Sequence, residues 1–527
     1  LSNKKKYFDI HGPVFYTSAG LILLFIILTL AIGDPMEKVF NNVQDWITTY
    51  AGWFFILTVN ILLVVVLYFA FGKFGKIRLG GKNAETEFSL FAWFAMLFSA
   101  GMGIGLLFFS VAEPMSNYAN PPVPFANDAE RAQNAMVYSY LHWGLHAWGI
   151  YALIGLALAF FAFSRKLPLS IRSVFYPLLG ERIYGRFGDA IDVLSVIPTL
   201  FGLATSLGFG VKQVNAGLNY VLGFPIEPWV QVVLLAVITL AATISVVLGL
   251  DKGVRVLSEL NIRLGLVFLI LMIVLGPTLF LAHTFLQTSG EYFQEIISLG
   301  SWASAFVDSD WQGNWTLVYW AWWISWSPFV GMFIARVSRG RTVREFVLGV
   351  LLVPTILTFL WMSVFGGTAL FLEMNEIGNV AAAVESDIST ALFSMLENFP
   401  ISSITSIIGL LLVTSFFVTS SDSGSLVIDS ITSGGKLDAP VGQRIFWALS
   451  EGGVAATLLI GGGLAALQTA ALSTGLPFAV ILLIMCYSLY KGLSDEKDRL
   501  IREEKRKAKA SYEETIRKLI DKQESDG

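Results

Sequence analysis

Long apolar blocks separated by short polar connections run through the chain from residue 14 to residue 490. They lie near residues 14–32, 50–71, 89–112, 138–163, 189–219, 227–249, 262–287, 314–335, 344–372, 402–428, 443–465 and 467–490. A helix needs about 20 such residues to cross roughly 30 Å of hydrocarbon. The runs lack the period-two alternation of a membrane barrel, so they predict helices, which satisfy their own backbone hydrogen bonds in lipid. The pattern predicts an all-α membrane protein of twelve transmembrane helices. No small-residue cleavage site follows the first block, which predicts a retained span.

Composition agrees. Of 527 residues, 55% are hydrophobic and 14% charged, where soluble proteins carry about a quarter charged. Most separators are too short to be domains, which favours one membrane domain. The net charge of -4 hides a segregated pattern. With both termini inside, the inner segments hold Lys4 to Lys6, Lys73 to Lys82, Arg165 to Arg186, Lys252 to Arg263, Arg336 to Arg344, Lys436, Arg444 and the tail from Lys491. Outer loops keep only Lys38 and Arg131, and Lys212 lies within a span. That alternation predicts an even number of spans and cytoplasmic termini. The lone Cys486 excludes an intramolecular disulfide and a thiolate cluster, and reads as a small apolar helix residue.

The predicted organisation is a cytoplasmic arm over 1–13, two N-terminal helices over 14–88, five-helix units over 89–287 and 314–490, and a charged cytoplasmic tail over 491–527. Residues 288–313 between the units carry Tyr292, Phe293, Ile296, Ile297, Leu299 and Trp302 without a basic residue, which suits an outer amphipathic helix or an ordered loop. The tail has both charge signs with apolar residues at partly helical spacing and predicts a solvated helix.

Broken membrane helices expose backbone groups that serve as ligands, and glycine and proline mark candidate breaks. The third span contains Gly101, Gly103 and Gly105 and ends in Glu113-Pro114; the eighth contains Trp322-Trp323-Ile-Ser-Trp326-Ser-Pro328 and Gly331. Glycines inside an apolar span, outside any strand-to-helix turn, exclude a dinucleotide loop. Close helix packing through small residues is the alternative to a break. Five-span spacing between the two segments is compatible with two repeats of opposite orientation.

The fourth span reads His142-Trp143-Gly-Leu-His146-Ala-Trp148-Gly-Ile-Tyr151. At 100° per residue, Trp143, Tyr151 and Trp148 lie at about 0°, 80° and 140°, one broad face. With Trp322, Trp323 and Trp326 they supply six rings, and a ring cage attracts quaternary ammonium or sulfonium groups without a carboxylate. Interfacial anchoring or packing is the bland alternative. Asp422 is the clearest buried acid by position, beside the hydroxyls of Thr419 and Ser420. Such oxygens suit a hard cation, or they bond the preceding helical turn. His142 and His146 have metal-ligand spacing but no third ligand, and no nucleophile elbow or phosphate loop is present, so an enzyme is the weaker class.

The segments Ala100-Gly-Met-Gly-Ile-Gly105 with Glu113-Pro114, His142 to Trp148, Trp320 to Gly331 with Arg336, and Phe416 to Ser420 with Asp422 together resemble the betaine/choline/carnitine transporter family. The resemblance runs from the first span to the twelfth. It implies a LeuT-like 5+5 inverted repeat behind two additional N-terminal helices, homotrimer assembly in a bacterial inner membrane, and sodium-coupled uptake of a betaine-like zwitterion by alternating access. It implies an aromatic box of Trp143, Trp148, Tyr151 and Trp323, with Trp322 and Trp326 along the pathway and the substrate carboxylate near Gly101, Gly103 and Gly105. It also implies sodium at the carbonyls of Ser99, Met102 and Phe416 and the hydroxyls of Thr419 and Ser420. A second sodium would involve Thr199 and Phe329, although Leu203 replaces a hydroxyl seen in betaine carriers. No cofactor and no nucleic-acid partner are implied beyond sodium as coupling ion and the surrounding lipid. Gly105 stands where proton-coupled choline carriers resemble one another in having Asp, and the hydroxyl pair departs from sodium-independent carnitine exchangers. Those two carriers and a non-transporting solute sensor are the alternatives.

Overall fold

The computed structural model of the chain describes residues 8–101, 103–248, 255–307, 309–436 and 440–525, with main chain alone at 98–101, 248, 255–256 and 522–525. The first half comprises α1 (Gly12–Ile32), α2 (Pro35–Phe71), α3 (Leu90–Gly101), α4 (Ile104–Ala119), α5 (Asp128–Trp143), α6 (Leu145–Ala159), the short α7 (Ile171–Val174) and α8 (Tyr176–Leu179), α9 (Arg186–Leu222), α10 (Pro228–Leu248) and α11 (Arg255–Leu275). Then follow α12 (Thr278–Ser301), α13 (Trp311–Asn314), α14 (Thr316–Val337), α15 (Val343–Met374), the short α16 (Val380–Ser386) and α17 (Ala391–Leu396), α18 (Ser402–Thr432) and α19 (Val441–Ser525). Among the described residues no strand forms; the one isolated bridge pairs Arg78 with Thr342.

Among the described residues ten helical stretches are long and apolar enough to cross a membrane, the one over Asp128–Ser164 being counted across Gly144. The third predicted span falls short of that length because it is split into helices of 12 and 16 residues. The eleventh and twelfth share α19, on either side of Gly462 and Gly463, whose backbone is not helical. Exposure follows position in the bundle. Leu23, Leu24 and Ile27 of α1 and Val237, Leu240 and Ile244 of α10 are exposed apolar side chains, a surface that belongs against lipid. By contrast α14 is buried along nearly its whole length.

Loops that the charge pattern assigns to one side meet at one end of the bundle. Leu79 N–H donates to Arg341 O and Gly340 N–H to Leu79 O, both at 2.9 Å. Arg165 reaches Gly492 O at 3.2 Å, and Lys82 reaches Glu504 at 3.2 Å on the exposed tail helix.

Three expectations about helix continuity need correction. The eighth span is not interrupted: α14 continues through Pro328. Proline has no N–H to give the carbonyl four residues back, and Ser327 Oγ–H donates to that carbonyl, Ile324 O, at 2.7 Å instead. Conversely, the fourth span does break, at Gly144 between α5 and α6. The seventh span ends at Leu275, where Gly276-Pro277 intervenes, and α12 starts at Thr278, ahead of the boundary at 288. The apolar stretch 278–286 concealed that boundary because its residues suit either a span or an interfacial face.

Helices α6 and α14 approach closely through glycines. A Cβ added to Gly331 would lie 2.2 Å from Ile154 Cγ2, and one on Gly155 would lie 3.3 Å from Gly331 O. Small residues are what permit such backbone proximity in a membrane bundle. Replacing Gly331 with Ala overpacks this contact and is expected to cost about 1–3 kcal/mol. A lower thermal unfolding midpoint in detergent checks this; an unchanged midpoint contradicts the close approach.

Candidate functional site

A small apolar cavity lies where α6 and α14 face the junction of α3 and α4. Its walls are Gly103 to Leu106, Trp143, Ala147, Trp148, Tyr151, Ser206, Trp322, Trp323 and Trp326. All six rings named from the sequence therefore meet at one place. Trp143 and Trp323 stand edge to face at 4.8 Å between centroids and 74° between planes. Trp148 and Tyr151 do so at 5.4 Å and 73°, and Tyr151 lies 6.3 Å from Trp323. Trp322 stacks on Trp323 at 4.7 Å, and Trp326 lies 6.4 Å from both Trp323 and Tyr151. A single helical wheel does not produce this arrangement, because Gly144 separates Trp143 from the helix that carries Trp148 and Tyr151.

The break is held by side chains from other helices. Leu145 N–H donates to the Tyr292 hydroxyl at 2.9 Å. Trp323 Nε1–H donates to His142 O at 2.8 Å and Thr358 Oγ–H to Trp143 O at 3.1 Å. A Cβ at position 144 would lie 2.5 Å from Tyr140 O and 2.7 Å from the Tyr292 hydroxyl, so glycine is required by space. Across the cavity, Gly103 is extended (φ -157°, ψ -175°) and caps α4. A Cβ on Gly105 would meet Trp322 Cη2 at 2.6 Å and Trp143 Cη2 at 3.2 Å, so a side chain there would displace the rings. Gly101 is described in main chain alone, and Met102 lies outside the described residues.

Further polar residues anchor the rings. Trp322 Nε1–H donates to Ser206 Oγ at 3.2 Å. The Glu113 carboxylate, fully buried, accepts Trp143 Nε1–H at 2.9 Å and the Tyr319 hydroxyl at 2.5 Å and lies 2.6 Å from His142 Nδ1. The chamber thus has an acid behind its wall, contrary to the expectation of an aromatic site without a buried counter-ion. Tyr151 Oη and Trp326 Nε1 are buried without a hydrogen-bond partner in the chain. Sequence reading missed Glu113, Ser206, Tyr292 and Tyr319 as site residues. A window extended past residue 112 would have drawn Glu113 into the apolar run; nothing in the sequence marks the other three.

The hydroxyl region lies on α18. Thr419 is buried, and its Oγ–H lies 3.1 Å from Ser415 O and 3.2 Å from Phe416 O, the bond to the preceding turn that serine and threonine commonly make. Its oxygen also accepts Asn261 Nδ2–H at 3.1 Å. Ser420 is half-buried, and Ser99 is described in main chain alone. Thr199 is buried and bonds Ser195 O at 2.6 Å. Phe329 is partly buried with its ring 5.4 Å from Trp326, and Leu203 packs against Gly424. Asp422 is buried and accepts Ser245 Oγ–H at 2.6 Å. His142 and His146 part company: the second lies 3.2 Å from Asn60 Oδ1. Among the described residues no group of three or more His, Cys, Asp or Glu is placed to hold a metal.

A bundle of apolar helices around a buried aromatic chamber defines a multi-pass membrane protein of the solute-carrier kind. Residues 13–498 match the model of the betaine/carnitine/choline family transporters, and the chain belongs to that family. It is 49% identical over 498 residues to glycine betaine transporter 1 of Vibrio parahaemolyticus, covering 93% of this chain and 95% of that one. It is 46% identical over 505 residues to a glycine betaine/proline/choline transporter of the same organism, covering 93% and 91%. Against the glycine betaine transporter of Acinetobacter baylyi the identity is 44% over 497 residues, covering 94% of this chain and 75% of that one. The family and these relatives are transporters and not enzymes.

Removing the Tyr292 hydroxyl while keeping its ring leaves the Leu145 N–H buried and unpaired. Tyr292→Phe is therefore expected to cost about 1–3 kcal/mol of stability, read as a lower unfolding midpoint. A midpoint equal to that of the unaltered protein contradicts the role given to this hydroxyl.

Proposed function

We propose that this protein is a sodium-coupled importer of a betaine-like compatible solute, working by alternating access in the bacterial inner membrane with both termini cytoplasmic. One observation carries the reading: Trp143, Trp148, Tyr151 and Trp323, all buried, line one cavity between helices. Desolvated rings around a quaternary ammonium contribute about 2 kcal/mol or more. The substrate carboxylate is assigned to the glycine side of the chamber, near the main chain of Gly101, Gly103 and Gly105. Tyr151 Oη and Trp326 Nε1, buried donors without a protein acceptor, are additional candidates to receive it. The names of the relatives, glycine betaine carriers among them, support this substrate class.

Sodium is assigned to Phe416 O, Thr419 and Ser420 of α18, joined by main-chain carbonyls of Ser99 and Met102. Support comes from oxygen chemistry: the hydroxyl of Thr419 and the carbonyl of Phe416 lie 3.2 Å apart, and hard cations prefer oxygen ligands. Thr419 Oγ1 accepts one hydrogen bond, from Asn261, which leaves a lone pair for a cation. Thr199 and Phe329 are the candidates for a second sodium. For the architecture, the reading counts the split third span as one crossing and α19 as two. That gives twelve crossings, spans three to twelve forming a LeuT-like inverted repeat and the chain assembling as a homotrimer.

Two measurements test the reading. Replacing sodium with potassium in proteoliposomes is expected to abolish concentrative betaine uptake, because each ligand must tighten the other; uptake unchanged in potassium overturns the coupling. Trp323→Leu is expected to weaken betaine binding by about tenfold or more, read by calorimetry or tryptophan fluorescence, and unaltered affinity removes the chamber assignment. Binding without accumulation of labelled solute would identify a sensor instead.

A further inference from the structure

The carboxylate of Glu113 lies at the Nε1 edge of Trp143 and is not among the groups that line the cavity. It is completely buried on α4. Three groups converge on it: Trp143 Nε1 at 2.9 Å, the Tyr319 hydroxyl at 2.5 Å and His142 Nδ1 at 2.6 Å. Indole nitrogen can only donate, so Glu113 Oε2 accepts from Trp143. His142 Nδ1 faces Glu113 Oε1 at 2.6 Å, and His142 Nε2 faces Thr316 Oγ1 at 2.9 Å. The cluster reaches the chamber at three points. Trp143 is held directly; Tyr319 packs its ring 5.8 Å from Trp143 and 5.7 Å from Trp323; and His142 supplies the carbonyl that fixes Trp323 Nε1.

We propose that Glu113 is the counter-ion of the chamber, acting through the Trp143 ring: a positioning and specificity residue that makes the site prefer a cationic head group over a neutral one of the same shape. The indole whose N–H donates to a carboxylate gains electron density, and its face becomes a better partner for an onium group. The negative charge lies beside the cavity wall in a water-poor interior, where Coulomb attraction is little screened. Because Glu113 is not among the lining groups, its carboxylate acts through Trp143 and not as a direct ion-pair partner of the substrate. The solute is drawn by charge and remains free to leave.

This inference rests on the betaine reading, and the test separates the two. Glycine betaine and tert-butylacetate share shape and carboxylate and differ in having nitrogen or carbon at the branched centre. The ratio of their affinities for the purified full-length protein measures charge preference alone. If the unaltered protein binds neither, the betaine reading fails. If it prefers betaine, Glu113→Gln is expected to lower the ratio about tenfold, and Glu113→Asp, which keeps the charge, to hold it within about threefold of the original. Equal weakening of both ligands in Glu113→Gln would mean a purely structural role and overturn the proposal, as would an unchanged ratio. Should Glu113→Gln fail to fold, Trp143→Phe decides: it keeps a π face but severs the link to the carboxylate, and a ratio no lower than the original overturns the proposal.

Discussion

A backbone group released from its helix inside a membrane has no water to turn to, and this constraint organises the centre of the protein. The break at Gly144 frees a donor at Leu145 and acceptors at His142 and Trp143, and each is taken by a side chain from another helix. Those partners, Tyr292, Trp323 and Thr358, come from α12, α14 and α15. A local irregularity therefore becomes a junction of four segments. Because an unpaired buried group costs about 1–3 kcal/mol, the junction is stable in one arrangement. That arrangement fixes Trp143 and Trp323 relative to one another, since the bond from Trp323 to His142 O both satisfies the break and orients the ring.

The same logic explains why α14 remains continuous where proline and glycine crowd its sequence. Ser327 supplies the hydrogen bond that Pro328 cannot, and Gly331 permits close contact with α6. Continuity on that side complements the breaks on the other. Trp322, Trp323 and Trp326 ride on one continuous helix, while the rings they face and the glycines opposite ride on interrupted segments.

Much of this was legible in the sequence, and the parts that were not have physical causes. Span positions follow from hydropathy because lipid enforces a length; the grouping of loops at one end follows from the placement of lysine and arginine. The six rings were legible as a set, since bulky aromatics beside glycines stand out in an aliphatic background. Helix continuity was not. Gly144 breaks its helix and Gly331 does not, and the difference lies in neighbours distant in the chain, Tyr292 for the first and Ile154 for the second. The depth of Glu113 was likewise hidden, because an acid just past an apolar block looks like the start of a loop until Trp143, Tyr319 and His142 close around it.

Placement of the chamber constrains how it can work. Its walls come from segments far apart in the chain, the α3–α4 junction, α5, α6, α9 and α14, all meeting where α6 and α14 touch. Three of the six rings are tied through their indole nitrogens, Trp322 to Ser206, Trp323 to His142 and Trp143 to Glu113, whereas Tyr151 and Trp326 have no hydrogen-bond partner in the chain. Parting the three tied rings therefore means moving the helices that carry them relative to the helices that carry their partners. The segment on which such movement would cost least is the one broken at Gly144, since Leu145 N–H, His142 O and Trp143 O are bonded to side chains of other helices. On this reasoning the interruption at Gly144 does two things: it sets Trp143 and Trp148 on separate helices that meet at one cavity, and it leaves a backbone joint whose bonds are made to other helices.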